Sequence, residues 1–397
     1  MALSIHIETS PEAAWLLRPQ WDALWRQADG GYSQSPAACM AVWREMMAPD
    51  GARFMLVSGR EDGRLVAVWP LAVRRLGLWR VLYQIGPQAA EFSNMLVQPG
   101  TQADAWVAAM WRAVVGARGA DMVALPFVLA ATPLGALLSQ SRGILLADPD
   151  TAPYIVWRDG ETWEQYYRSL RASYRKVQNK KRRQMQEHGE SAFEAVRDPA
   201  RMPELIGWLL RHKRIWADSA NKRGAWVFAP AYERFLTALA TDRDAGGAVV
   251  MFVLTLDGAP AAIQFAMAGD RQIDWIIAGF DAALGHFSPG SLLNEHCLQW
   301  ALAHGLNVGM GAGMEENKRF WSRDETHATV NYRLALTPWG LLGDRTWQVA
   351  SRLRAQIRRR LSTARPPADR WPTAQKARPA GRPAVASTSG GALGGAD

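Results

Sequence analysis

A chain of 397 residues with 48% hydrophobic and 21% charged residues has enough apolar material for two ordinary cores and too little charge for wholesale disorder. Its net charge of +9 sits in two blocks: residues 165–186 hold eight Lys/Arg and no Asp/Glu, and residues 346–397 hold ten Lys/Arg against Asp369 and Asp397, which leaves an acidic body. Cys39 and Cys297 lie far apart in predicted apolar helices, which excludes a disulfide framework and supplies no metal-binding spacing.

The first half reads as an α/β unit. "LSIHIE" is a predicted strand, and Trp15, Leu16, Trp21, Leu24 and Trp25 mark one amphipathic helix after Ser10-Pro11. "RFMLVSGREDGRLVAVWPLAV" predicts a hairpin around Asp62-Gly63, followed by strands at "LWRVLYQIG" and "EFSNMLVQP". A helix over "QADAWVAAMWRAVVGAR" and a strand at "DMVALPF" complete this half. The uncharged run Met122–Ser141 is too interrupted by Pro126 and Pro133 to be a membrane span and reads as strand, turn and short helix.

The second half repeats the theme. Helices are expected around residues 162–189, 199–216 and 230–243, then three strands over 247–281 with turns at Asp257-Gly258 and Gly269-Asp270. A helix follows over "SPGSLLNEHCLQWALAHG", then strands at "LNVGMGAG" and "THATVNYRLALTP". The basic helix "RSLRASYRKVQNKKRRQMQEHG" shows an apolar stripe of Leu170, Tyr174 and Val177 running toward Lys181, with cationic flanks that either cover the core or bind phosphate. The expected fold class is α/β (α+β): two tandem modules over 1–150 and 151–361, each a mixed, largely antiparallel sheet flanked by helices, and a disordered Pro/Ala/Arg/Gly tail over 362–397. The two separated cysteines make a reducing cytoplasm the natural compartment, and the N-terminus lacks the basic start and long apolar core of a secretion signal.

The Ser288-Pro289-Gly290-Ser291 start has two readings. It is an ordinary capped helix, or it is an anion site, where the first-turn N–H groups and the positive end of the helix dipole hold a phosphate and Gly290 lets it approach the backbone. Gly309, Gly311 and Gly313 then mark a strand of little bulk, with Glu315, Glu316, Lys318 and Arg319 beside its end.

Together, "GFD…FSPGSLLNEHCLQWALAHG" and "GAGMEENKRFW" resemble the GNAT-type acetyltransferases of the cellulose-biosynthesis (CelD/BcsL) group, related in architecture to the Fem-type aminoacyl transferases. The matching positions are Asp281, Ser288, Pro289, Gly290, Gly305, Gly313, Glu315, Lys318 and Trp321, and the resemblance covers residues 150–340 best. It implies two GNAT-like modules and an acyltransferase using acetyl-CoA or another acyl-CoA, with no metal. The pyrophosphate is assigned to Ser288, Pro289, Gly290 and Ser291, with Arg175 of the basic helix on a phosphate, Glu315 as base, Lys318 as electrostatic or carboxylate partner, and Asp281 as reserve base. Tyr332 is the candidate for protonating the departing thiolate.

Two positions depart from the family pattern. Gly309 stands where the family has an Asp, and Asn317 where it has an aromatic residue before the Lys. If that Asp accepts a proton, this protein must use another group. The acceptor implied is an amine or hydroxyl, sugar-linked and bound for an exopolysaccharide or the cell envelope. The alternatives are a Fem-like transferase taking its donor from tRNA, and a silent binding protein in polysaccharide assembly whose basic segment "RLRAQIRRRL" contacts anionic lipid at the inner membrane face.

Overall fold

In this computed structural model the structure describes residues 3–87, 91–219, 225–242, 248–313 and 316–344. Alternating and β-branched runs form the strands β1 (Leu3–Glu8), β2 (Arg53–Glu61), β3 (Arg64–Leu76), β4 (Trp79–Gln84), β5 (Leu96–Val97), β6 (Met122–Leu129) and β7 (Ile144–Ile155). The second half supplies β8 (Ser191–Val196), β9 (Val249–Leu256), β10 (Ala259–Ala268), β11 (Gln272–Phe280), β12 (Asn307–Gly309) and β13 (Thr326–Ala335). They join one sheet in the order β1-β2-β3-β4-β6-β13-β7-β12-β11-β10-β9-β8, with β5 off β3.

The two halves are built alike. In each, a first strand (β1, β8) is followed by a helical insertion, then by three antiparallel strands (β2–β4, β9–β11). A helix then leads to a strand parallel to the third: Ala103–Gly116 before β6, and Pro289–Ala303 before β12. Parallel pairing requires such a crossover. The last strand of each half passes to the other, because β7 pairs with β12, β13 pairs with β6, and β7 and β13 pair with each other. The halves therefore share one sheet, and Met1–Arg345 is one compact unit.

Helices cover both faces. One core joins Trp21, Ala38 and Met47 of the first helical insertion to Ile206, Leu209 and Phe235 of the second, and so welds the halves together. A second lies between the C-terminal sheet and helix Pro289–Ala303, and a third beneath helix Ala103–Gly116. Cys39 and Cys297 are buried and unpaired. Among the described residues, no helix is long and apolar enough to cross a membrane.

Several sequence expectations need correction. The first amphipathic helix is two helices, Pro11–Trp15 and Arg18–Gln27, because Pro19 can join only the first turn of a helix and Leu16 is left exposed. The region 162–189 likewise divides into Trp163–Ser169 and Ala172–His188. "EFSNMLVQP" forms only the short β5, and its Asn94 N–H bonds the Gln84 side chain instead of a ladder. Strands β7 and β8 escape the sequence reading. In β7 the residues Pro149 and Pro153 argue against a strand, yet Thr151 and Pro153 turn their carbonyls toward 310–313, away from β13, so the missing proline N–H groups fall on the side where β13 needs no donor. The tail beyond 361 and the segment "RLRAQIRRRL" lie outside the described residues.

Candidate functional site

Helix Pro289–Ala303 begins without a side-chain cap. Ser288 occupies the left-handed region (φ 56°, ψ 52°), so it cannot take the extended conformation from which a serine normally caps a helix. The N–H groups of Ser291 and Leu292 both close on the Ser288 carbonyl, and Pro289 has none, so the donor left at the start of the helix is Gly290 N–H. This end opens on a cavity of about 310 Å³ lined by Ser288, Pro289, Gly290, Ser291, Asn317, Lys213 and Trp216, with no acidic residue in its walls among the described residues. Lys213 lies over the Trp216 ring at 4.3 Å. Helix dipole and ammonium together make the cavity electropositive.

The basic helix Ala172–His188 braces this start. Gln178 donates from Nε2 to the Ser291 carbonyl (3.0 Å) and to Glu295 (3.1 Å), and its Oε1 accepts from the Ser291 hydroxyl (3.0 Å). Tyr174 OH lies 3.2 Å from the same hydroxyl and donates to Asn317 at 3.1 Å. Arg182 pairs with buried Glu295, and Lys181 bonds the His286 carbonyl. The inward stripe is therefore polar, and the expected apolar position Val177 is 52% exposed. Lys176, Lys180 and Arg183 face solvent.

Strand β11 connects this cavity to a second one. It pairs with β10 along its length but with β12 only through Gln272↔Asn307, Ile273↔Val308 and Asp274↔Gly309. Beyond Gly309 the chain turns to β7, where Met310 and Gly313 donate to the Pro153 and Thr151 carbonyls. A bulge at Ile276 falls at the same level and reverses the alternation. Ile273 and Trp275 pack toward helix Pro289–Ala303, whereas Ile277 packs toward helix Met202–Ser219. The two parallel strands thus splay, leaving the β12-facing edge of β11 from Trp275 to Phe280 outside that pairing.

At the splay lies a cavity of about 520 Å³ whose wall includes Asp29, Tyr32, Glu91, Tyr154, Asp274, Lys318 and His327, drawn from both halves. Asp274 accepts from the Tyr32 backbone N–H (2.7 Å) and from Gln272 Nε2 (2.6 Å). Trp25 and Trp21 hold the Tyr32 turn by donating from their indoles to the Gly31 and Gln34 carbonyls. Tyr32 OH donates to Glu91 at 2.7 Å. Burial pushes the Asp274 carboxyl up to about 6, against the lowering pull of its two hydrogen bonds. Tyr154 stacks on His327, whose pKa burial lowers.

The predicted site residues divide between these places. Ser288, Pro289, Gly290 and Ser291 line the first cavity, and Lys318 lines the second, its ammonium bonded to the Ala312 carbonyl at 3.2 Å. Asp281 lines neither: its side chain caps the short turn Ala282–Phe287 through Ala283 N–H. Arg175 lines neither and donates to the Leu170 carbonyl at the end of the preceding helix. Tyr332 is in the core of the N-terminal half, paired with Leu125. Glu315 lies outside the described residues. Sequence reasoning missed Lys213 and Asp274. Lys213 had a usable signal, a cation three residues before Trp216 on one helix, whereas Asp274 was hidden among alternating strand residues.

Residues 172–319 match the model of the GNAT acetyltransferase domain family, a span running from the basic helix through the splayed strands to Lys318. The fold is similar to the crystal structure of FemX, at 11% identity and a TM-score of 0.57, covering 87% of this chain and 100% of that one. It is similar also to a conserved protein of unknown function from Bacteroides thetaiotaomicron, at 12% identity and a TM-score of 0.51, covering 84% of this chain and 100% of that one. Such low identity makes the likeness one of fold. No curated protein matches the chain.

Proposed function

We propose that the protein transfers an acyl group from an acyl-CoA thioester, acetyl-CoA being the simplest, to an amine or hydroxyl acceptor. The observation that carries this is the splay of β11 from β12 with an uncapped helix start at one end and a carboxylate-lined cavity at the other. Asp274 and Phe280 are six residues apart, a span of ~20 Å at about 3.3 Å per residue. That length suits a pantetheine arm laid on the β12-facing edge of β11, bonding its amides to the strand. The pyrophosphate rests at Gly290 N–H and Lys213, where a helix terminus alone contributes about 0.3–1 kcal/mol and the ammonium adds to it. The acyl group passes through the gap and meets the acceptor in the second cavity, so the two substrates approach from opposite sides of the sheet.

The finer reading follows the resemblance in Gly313, Lys318 and Trp321: a sugar-linked acceptor of the cell envelope or an exopolysaccharide. A second reading, a donor carried on tRNA, is favoured by the solvent-facing Lys176, Lys180 and Arg183. It requires tRNA binding that weakens steeply with salt, and no acyl-CoA binding.

Titration calorimetry with acetyl-CoA on the wild type and on Gly290→Trp tests the donor site. A Cβ at Gly290 has room, its nearest neighbour being Phe280 at 3.6 Å, so the indole is expected to fill the cavity without disturbing the fold. Affinity should fall at least tenfold. Equal affinity in the two proteins removes the pyrophosphate from this helix.

A further inference from the structure

We propose that Asp274 is the general base of this site and that its acceptor is a cationic primary amine. The inference rests on the acyl-CoA reading and extends it to the proton and the acceptor class. Asp274 stands on the last pair of residues that β11 and β12 share before they separate, beside the place where an acyl group would emerge. Its neighbour across that pair is Gly309, and a Cβ built there collides with Asp274 Oδ1 and lies 3.1 Å from Gln272 Nε2. The carboxylate of one strand thus occupies the side-chain space of the next. Only glycine at 309 leaves that space open.

The carboxylate is also held in place. Tyr32 N–H fixes Oδ2 and Gln272 fixes Oδ1, while each oxygen keeps a further lone pair for a ligand in the cavity. Among the described residues, the titratable groups that face Asp274 in this cavity are Asp29, which Arg271 pairs at 2.9 Å, Tyr32 and Glu91 of the N-terminal half, Tyr154 of β7, Lys318 after the glycine strand, and His327 of β13. With Asp29 paired to Arg271, the lining charge among the described residues is that of Glu91 and Asp274 against Lys318, a balance that favours a cationic acceptor, and burial lowers the charge on His327. The raised carboxyl of Asp274 puts its base strength near neutral pH, where proton transfer from an ammonium is useful.

The chemistry balances without a further reactant. The acceptor ammonium gives one proton to Asp274, and the freed nitrogen lone pair attacks the thioester carbon. As the tetrahedral adduct collapses, the C–S bond breaks and sulfur leaves with the electron pair. The proton still on the cationic nitrogen passes to the thiolate, giving an amide and free CoA thiol, and Asp274 returns its proton to water.

Thiol release from acetyl-CoA, followed from pH 5 to 9 with glucosamine, lysine, spermidine and benzylamine, tests this. Asp274→Asn keeps an acceptor for Tyr32 N–H, and a turned Gln272 amide meets its new donor, so the fold and acetyl-CoA affinity should persist. Its kcat should fall at least 100-fold, and the wild-type acidic limb near pH 6 should vanish. Combining Asp274→Gly with Gly309→Asp returns a carboxylate to the same space from the neighbouring strand and should recover at least tenfold over Asp274→Asn. If Asp274→Asn retains both rate and acidic limb, the base assignment is wrong. If acetyl-CoA does not bind the wild type, the donor reading fails instead. Bound acetyl-CoA without amine-dependent thiol release from the wild type overturns the amine assignment.

Discussion

Replacing Asp274 by Asn should stabilise the folded protein at neutral pH. The folded carboxyl sits at about 6 against an ordinary value of 3.8, so the native state keeps its proton after the unfolded chain has lost it. The cost of ionising it in place is absent below pH 4, grows between pH 4 and 6, and is complete above. At 1.36 kcal/mol for each pH unit it amounts to about 3 kcal/mol, which Asn does not incur. Urea unfolding of both proteins at pH 4, 6 and 8 measures it. The stability difference between variant and wild type should move in the variant's favour by about 2–3 kcal/mol from pH 4 to pH 8. A difference that stays constant with pH would refute the argument, since it would mean that the cavity solvates the carboxylate as water does.

Gly309→Ala should displace the Asp274 carboxylate and cost about 1–3 kcal/mol, with turnover lost while acetyl-CoA binding persists; urea unfolding and calorimetry read both. Glu295→Gln removes the charge that Arg182 and Gln178 share and should cost about 3 kcal/mol, with hydrogen exchange quickened across Ala172–His188 and acetyl-CoA bound several-fold more weakly. Glu161→Gln breaks the 2.7 Å pair with Arg323, whose guanidinium keeps Glu325 at 3.7 Å, and should lower the unfolding free energy measured in urea by about 1–3 kcal/mol.

What could be read from the sequence was local. Asp62-Gly63 and Asp257-Gly258 announce hairpins because their positive φ angles belong to the turn itself, and Ser288-Pro289-Gly290 announces a helix start because Pro289 fits the first turn, where no N–H partner is needed. The absence of a capping bond at Ser288 depends on its left-handed backbone, which the residue types do not show. Asp274 lies beyond local reading altogether. Its partner Tyr32 is 242 positions away, and its relation to Gly309 exists only through the parallel register of β11 and β12. The departure at Gly309 signalled that another group must supply the carboxylate, but no spacing rule points across a crossover helix to the preceding strand. Likewise β7 was hidden by prolines that are harmless only where no donor is needed.

The measurement that tests the account most directly is a crystal structure of the protein with a non-hydrolysable acetyl-CoA analogue. The pyrophosphate is expected against Gly290 N–H and Lys213, the pantetheine amides on the β12-facing edge of β11, and the acyl carbon within about 4 Å of the space in front of Asp274. A saturated complex in which the analogue leaves the gap between β11 and β12 empty would contradict it.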